Sequence, residues 1–112
     1  MSRLKNEILE REIVQQVKQI IGLTGIKLQR INTGSFYSGG RYIKSCETGT
    51  CDFEGYDKHG RFVAIECKRP SGGKVSPEQQ LRINDINSKG GLAFIATSGE
   101  QALETLRVND CI

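Results

Sequence analysis

Apolar positions recur at helical spacing early in the chain. Leu4, Ile8, Ile13, Val17, Ile20 and Ile21 line one face of a helix predicted over 3–21, and Gly22 and Gly25 end it. The pattern then shortens. Residues 26–31 and 51–56 read as strands, separated by a Gly-rich polar stretch, 32–50, that reads as a long loop holding Phe36, Tyr37, Arg41 and Tyr42. Asp57-Lys58-His59-Gly60 is a turn cluster. Phe62 to Lys68 is the strongest strand, and its inner part is apolar on both faces, the mark of a strand central in its sheet. Ser76-Pro77-Glu78-Gln79 combines an N-cap Ser, a Pro at N1 and a Gln at N3, so a helix starts there. Leu81, Ile83 and Ile86 carry it to Lys89, and Gly90-Gly91 caps it. Residues 92–96 form a second buried strand and 100–107 a last short helix. The predicted order is αβββαβα: one α/β domain over 1–112, with a mixed sheet flanked by helices.

Composition narrows the function classes. At 112 residues and 12.4 kDa the chain has the size of one domain, too small for a cofactor domain plus a substrate domain. No apolar run approaches the ~18 residues of a membrane span. The charged N-terminus lacks an apolar signal core, so a cytoplasmic location is expected. Sixteen Lys+Arg against 13 Asp+Glu give a net charge of +3, which permits a phosphate-bearing partner without requiring one. Cys46, Cys51, Cys67 and Cys111 form no C-x-x-C pair, and His59 is the only histidine. Reduced, packed thiols are the favoured reading, with a small cysteine-metal interaction domain as an alternative.

Glu66-Cys67-Lys68 stands out because a buried strand ends in two opposite charges. Side chains alternate along a strand, so Glu66 and Lys68 share a face and Cys67 points away. Asp52 lies fourteen residues before Glu66. If Tyr56 pairs with Phe62, Asp52 sits directly opposite Glu66, and directly opposed Cβ atoms are ~4.5–5.5 Å apart. A register slip of one residue would put the two acids on opposite faces. Two carboxylates so close repel, and a divalent cation between them relieves the repulsion. Hard oxygen ligands suit Mg²⁺ or Mn²⁺. With Lys68 alongside to position a water or stabilise transition-state charge, this outlines a site for phosphodiester hydrolysis. His59, in a turn, is expected to face solvent rather than to act in catalysis.

Gly49 to Asp52 (G-T-C-D), Glu66 to Lys68 (E-C-K), Ser76 to Gln79 (S-P-E-Q) and Lys89-Gly90-Gly91 before an apolar strand occur in that order. Together they resemble the VRR-NUC domain, the virus-type replication-repair nuclease branch of the PD-(D/E)XK superfamily. The resemblance implies a restriction-endonuclease-like core and Mg²⁺-dependent DNA cleavage, with Mn²⁺ able to substitute. For stand-alone phage members it implies homodimers acting on branched DNA such as Holliday junctions, and so a setting in a phage-infected cell. Asp52 and Glu66 match the metal-binding acids and Lys68 the catalytic lysine. The Cys67 backbone carbonyl is implied as a further metal ligand. Gln79 matches the glutamine after S-P, although as N3 residue it can equally serve to close the helix end. Glu10 best matches the first-helix acid, a metal-binding and catalytic role for which Glu7 and Glu12 compete. The family usually has Pro where Cys51 stands.

Arg30, Arg41 and Lys44 are candidates for phosphate contacts, and Tyr37 and Tyr42 for stacking on unpaired bases. Arg69, Lys74 and Arg82 extend the same basic surface around the proposed site. The first helix carries more apolar positions than one core-facing stripe uses, Leu9 and Val14 among them, which makes it a candidate homodimer surface. A nuclease-fold module that binds nucleic acid without cutting it is the second alternative; the paired Asp52 and Glu66 speak against it.

Overall fold

The computed structural model describes residues 8–31, 35–44 and 48–112, without the side chains of 35–38 and 42–44. Among the described residues the elements are α1 (Glu10–Thr24), β1 (Lys27–Arg30), β2 (Ser35–Ser38), β3 (Arg41–Lys44), β4 (Phe53–Tyr56), β5 (Phe62–Cys67), α2 (Pro77–Ser88), β6 (Leu92–Ala96) and α3 (Gly99–Val108). No helix among them is long and apolar enough to cross a membrane.

A four-stranded mixed sheet has the order β1-β4-β5-β6. β1, β4 and β5 form an antiparallel meander, and β6 returns parallel to β5 after α2. A parallel neighbour requires such a crossover, which places α2 against the sheet. β5 is central as expected, with Val63 to Cys67 all buried. Val63, Ile65 and Cys67 join Phe53, Ile13 and Val17 of α1, and Ala102 and Leu106 of α3, in the larger core cluster. On the opposite face Ala64 and Ala93 pair in register, and Ile83 of α2 packs over them with Cys51. Two alanines leave room for the helix to lie close to the strands.

Three features differ from the sequence reading. Helix α1 starts at Glu10, because Leu9 is extended and the Glu12 carboxylate accepts its N–H at 2.9 Å. It also runs through Gly22 to Thr24, and the stop falls on Gly25 alone, whose φ of 74° suits the left-handed cap. The stretch read as a loop contains the β2–β3 hairpin, with Phe36 opposite Ile43 and Tyr37 opposite Tyr42. Gly39 and Gly40 turn it, both at positive φ. Finally, the apolar surplus of α1 is largely used by its own chain: Ile8, Val14, Ile20 and Ile21 pack against the core, and the exposed apolar residue is Leu23.

Gly49 prepares the entry to β4. Its φ is 92°, and a Cβ there would lie 2.6 Å from the Glu78 carbonyl oxygen at the start of α2. Gly49→Ala should therefore combine backbone strain with a backbone clash and lower unfolding free energy by about 1–3 kcal/mol. Denaturant melts of the two proteins check this; an unchanged midpoint contradicts it.

Candidate active site

The register decides what the two acids can do. Phe53 pairs with Ile65 and Tyr56 with Phe62. Continued by one residue, this pairing sets Asp52 against Glu66, and the Asp52 N–H donates to Glu66 Oε1 at 3.2 Å. Both residues are buried. The Asp52 side chain reaches past the strand end, where its Oδ2 accepts the Cys67 N–H at 2.7 Å. The Cys67 side chain points the other way, into the larger core, as alternation requires.

Glu66 is held from three sides. Besides the Asp52 amide, its Oε2 accepts from Gln79 Nε2 at 2.5 Å and lies 3.2 Å from Lys68 Nζ. Gln79 performs both tasks that its sequence position allows. Its Oε1 accepts the Ser76 N–H at 3.0 Å, closing the capping box, while its amide nitrogen clamps Glu66. Lys68 Nζ also approaches Glu10 Oε1 at 3.8 Å, which brings the first turn of α1 to the rim. Glu10 is about half exposed, and Glu12 is engaged in its own helix cap. Glu7 lies outside the described residues.

Burial and the nearby Asp52 charge push the Glu66 carboxyl up to about 7, against the opposing pull of Lys68. Every buried side-chain nitrogen and oxygen among the described residues has a hydrogen-bond partner. No group of three or more His, Cys, Asp or Glu side chains among them is arranged around one point. The donor chemistry that fits a hard dication is thus the Asp52–Glu66 pair, with water filling the remaining positions. Burial keeps the free thiols of Cys51, Cys67 and Cys111 protonated, Cys51 at about 12, so none is a thiolate at neutral pH. Cys46 lies outside the described residues.

The candidate DNA-contacting residues fall into separate groups. Arg41, Arg69 and Lys74 are exposed, and Arg69 donates to the Gly72 carbonyl at 3.2 Å. The side chains of Tyr37, Tyr42 and Lys44 lie outside the described residues, although their backbone belongs to the hairpin. Arg30 turns toward the acids, with Nη1 3.4 Å from Asp52 Oδ1. Arg82 is engaged elsewhere: it forks onto the Glu54 carboxylate through two contacts of 2.8 Å. Glu54 Oε2 also accepts the Cys51 N–H at 3.2 Å, which fixes the peptide leading into Asp52. This Glu54–Arg82 support was missed in the sequence. Its signal was present, because Glu54 follows Asp52 on one strand face and Arg82 follows Gln79 by one helical turn. His59 sits in its turn, 3.0 Å from Asp110 Oδ2 and remote from the acids in the fold.

The raised Glu66 carboxyl has a signed consequence. Its ordinary value is 4.5, so between pH 4.5 and about 7 the folded chain keeps a proton that the unfolded chain has released. Stability therefore falls as pH rises through that window in metal-free buffer. Thermal melts from pH 4.5 to 8 should show this decline in the wild type and a flatter profile in Glu66→Gln; parallel profiles contradict it.

No protein-family model, curated protein or solved structure matches this chain at significant similarity.

Proposed function

We propose that the protein is a metal-dependent DNA endonuclease on a restriction-endonuclease-like core, selective for branched DNA and active as a homodimer. The observation that carries the reading is the buried pair Asp52 and Glu66, set against each other across β4 and β5 with Lys68 Nζ 3.2 Å from Glu66. The meander followed by a parallel fourth strand is consistent with that core, because it brings the start of β4, the end of β5 and the start of α2 to one place.

Asp52 and Glu66 are the residues that would hold Mg²⁺ or Mn²⁺. Bound there, the ion would supply a water of lowered pKa and shield the scissile phosphate. The chain's own residues do the rest. Gln79 and the Asp52 amide fix the Glu66 carboxylate, and the Cys67 amide fixes that of Asp52. Such preorganisation lowers reorganisation cost in the transition state. Lys68 is mostly buried and places a positive charge where a phosphate oxygen gains negative charge. Glu10 orients Lys68 from the rim. The exposed Arg41, Arg69 and Lys74 give the surface its affinity for a phosphate backbone.

A four-way junction requires two symmetric cuts, and a two-fold dimer supplies two sites. Light scattering should then report about 25 kDa, twice the 12.4 kDa chain. A monomer that resolves junctions symmetrically would contradict the dimer.

Cleavage of linear, forked and four-way DNA with Mg²⁺ tests the activity. Asp52→Asn, Glu66→Gln and Lys68→Ala should each lower the rate by about 10²-fold or more in the folded protein while DNA affinity stays near wild type. Near-wild-type cleavage by Glu66→Gln would remove the site assignment, and no cleavage of any substrate by the wild type would remove the activity.

A further inference from the structure

Arg30 makes contacts of two kinds. Its Nη1 donates to two backbone carbonyls, Ile31 at 2.5 Å and Asp52 at 3.3 Å, and the guanidinium carbon lies 5.7 Å from the centre of the Phe53 ring. The same nitrogen stands 3.4 Å from Asp52 Oδ1. That is well beyond the ~2.7–2.9 Å of a charge-assisted hydrogen bond, so the charge neutralises the carboxylate without locking onto it. Asp52 Oδ2 is already taken by the Cys67 N–H at 2.7 Å. Oδ1, outside that backbone bond, is the oxygen left more open to a cation, and Arg30 Nη1 lies beside it.

A dication on Oδ1 sits at ~2.0–2.6 Å, which would bring it face to face with the guanidinium. The two positive charges then repel within a few ångströms. The Arg30 side chain is 43% exposed and has open solvent into which to swing. Once displaced, a guanidinium beside the metal site is placed for a phosphate, which it can grip through two N–H donors.

We propose that Arg30 is a displaceable counter-cation on Asp52: it occupies the acid before metal binds, leaves when the dication arrives, and then takes a phosphate of the DNA. This rests on the reading of Asp52 and Glu66 as metal ligands. It makes metal and DNA binding cooperative, because the metal frees a cation that the DNA then uses.

Mn²⁺ titration calorimetry without DNA tests the competition and is independent of cleavage. Arg30→Met keeps the stem over Phe53 and removes the charge; Arg30→Gln is a second neutral variant, and Arg30→Lys keeps the charge. Either neutral variant should bind Mn²⁺ about five- to twentyfold more tightly than the wild type, and Arg30→Lys within about twofold of it. DNA affinity measured in Ca²⁺ should move the opposite way. Arg30→Met should bind about three- to tenfold more weakly, with a salt slope shallower by about one. Wild-type Mn²⁺ affinity in a folded neutral variant would overturn the competition while leaving the metal site intact. Unchanged DNA affinity would overturn the phosphate role. Absence of Mn²⁺ binding in all the proteins would overturn the metal reading itself, and the counter-cation with it.

Discussion

Two carboxylates are buried where one strand enters the sheet and its neighbour leaves it, and the surrounding structure is arranged to keep them there. Asp52 and Glu66 would drift apart without support, because like charges in a buried site repel. The Asp52 amide, Gln79 and Lys68 converge on Glu66, and the Cys67 amide caps Asp52. These four donors come from three parts of the fold: the entry to β4, the first turn of α2 and, for Lys68 and the Cys67 amide, the exit of β5. The β4–β5 register is the condition for all of them, since one residue of slip would carry Glu66 into the larger core.

The support extends outward in layers. Glu54 and Arg82 tie β4 to α2 and hold the Cys51 amide, so the same helix grips the site through Gln79 and through Arg82 one turn later. Gly49 lets the chain pass within contact of the α2 backbone before turning into β4. On the far face, α1 packs into the core through Ile13 and Val17, which brings Glu10 to Lys68. At the opposite end of the sheet, Arg61 joins Asp57 to the Asn109 carbonyl, anchoring the β4–β5 turn to the end of α3. The hairpin that defines the register is thus fixed at both ends.

Much of this was legible from residue pattern. The double-sided apolar run of β5 marked the central strand, Ser76-Pro77 marked the start of α2, and opposition of Asp52 and Glu66 followed from pairing Tyr56 with Phe62. What escaped the reading has physical reasons. The β2–β3 strands are short, outside the main sheet and rich in polar residues, so they lacked the apolar alternation that marks a half-buried strand. The Gly39-Gly40 pair nonetheless carried a two-residue hairpin signal. Leu9 gives no polar N-cap, so the start of α1 depends on Glu12 reaching back. The engagement of Arg82 with Glu54 and of Arg30 with Asp52 depends on tertiary placement, and charge counting treated both arginines as free surface.

The proposed chemistry depends on a divalent cation shared by Asp52 and Glu66. Anomalous diffraction from crystals soaked in Mn²⁺ tests it most directly. One strong anomalous peak is expected within about 2.0–2.6 Å of Asp52 Oδ1 and of a Glu66 carboxylate oxygen, with water completing the shell. A saturating soak that leaves those two carboxylates without a peak, or that places the metal on other residues, would contradict it.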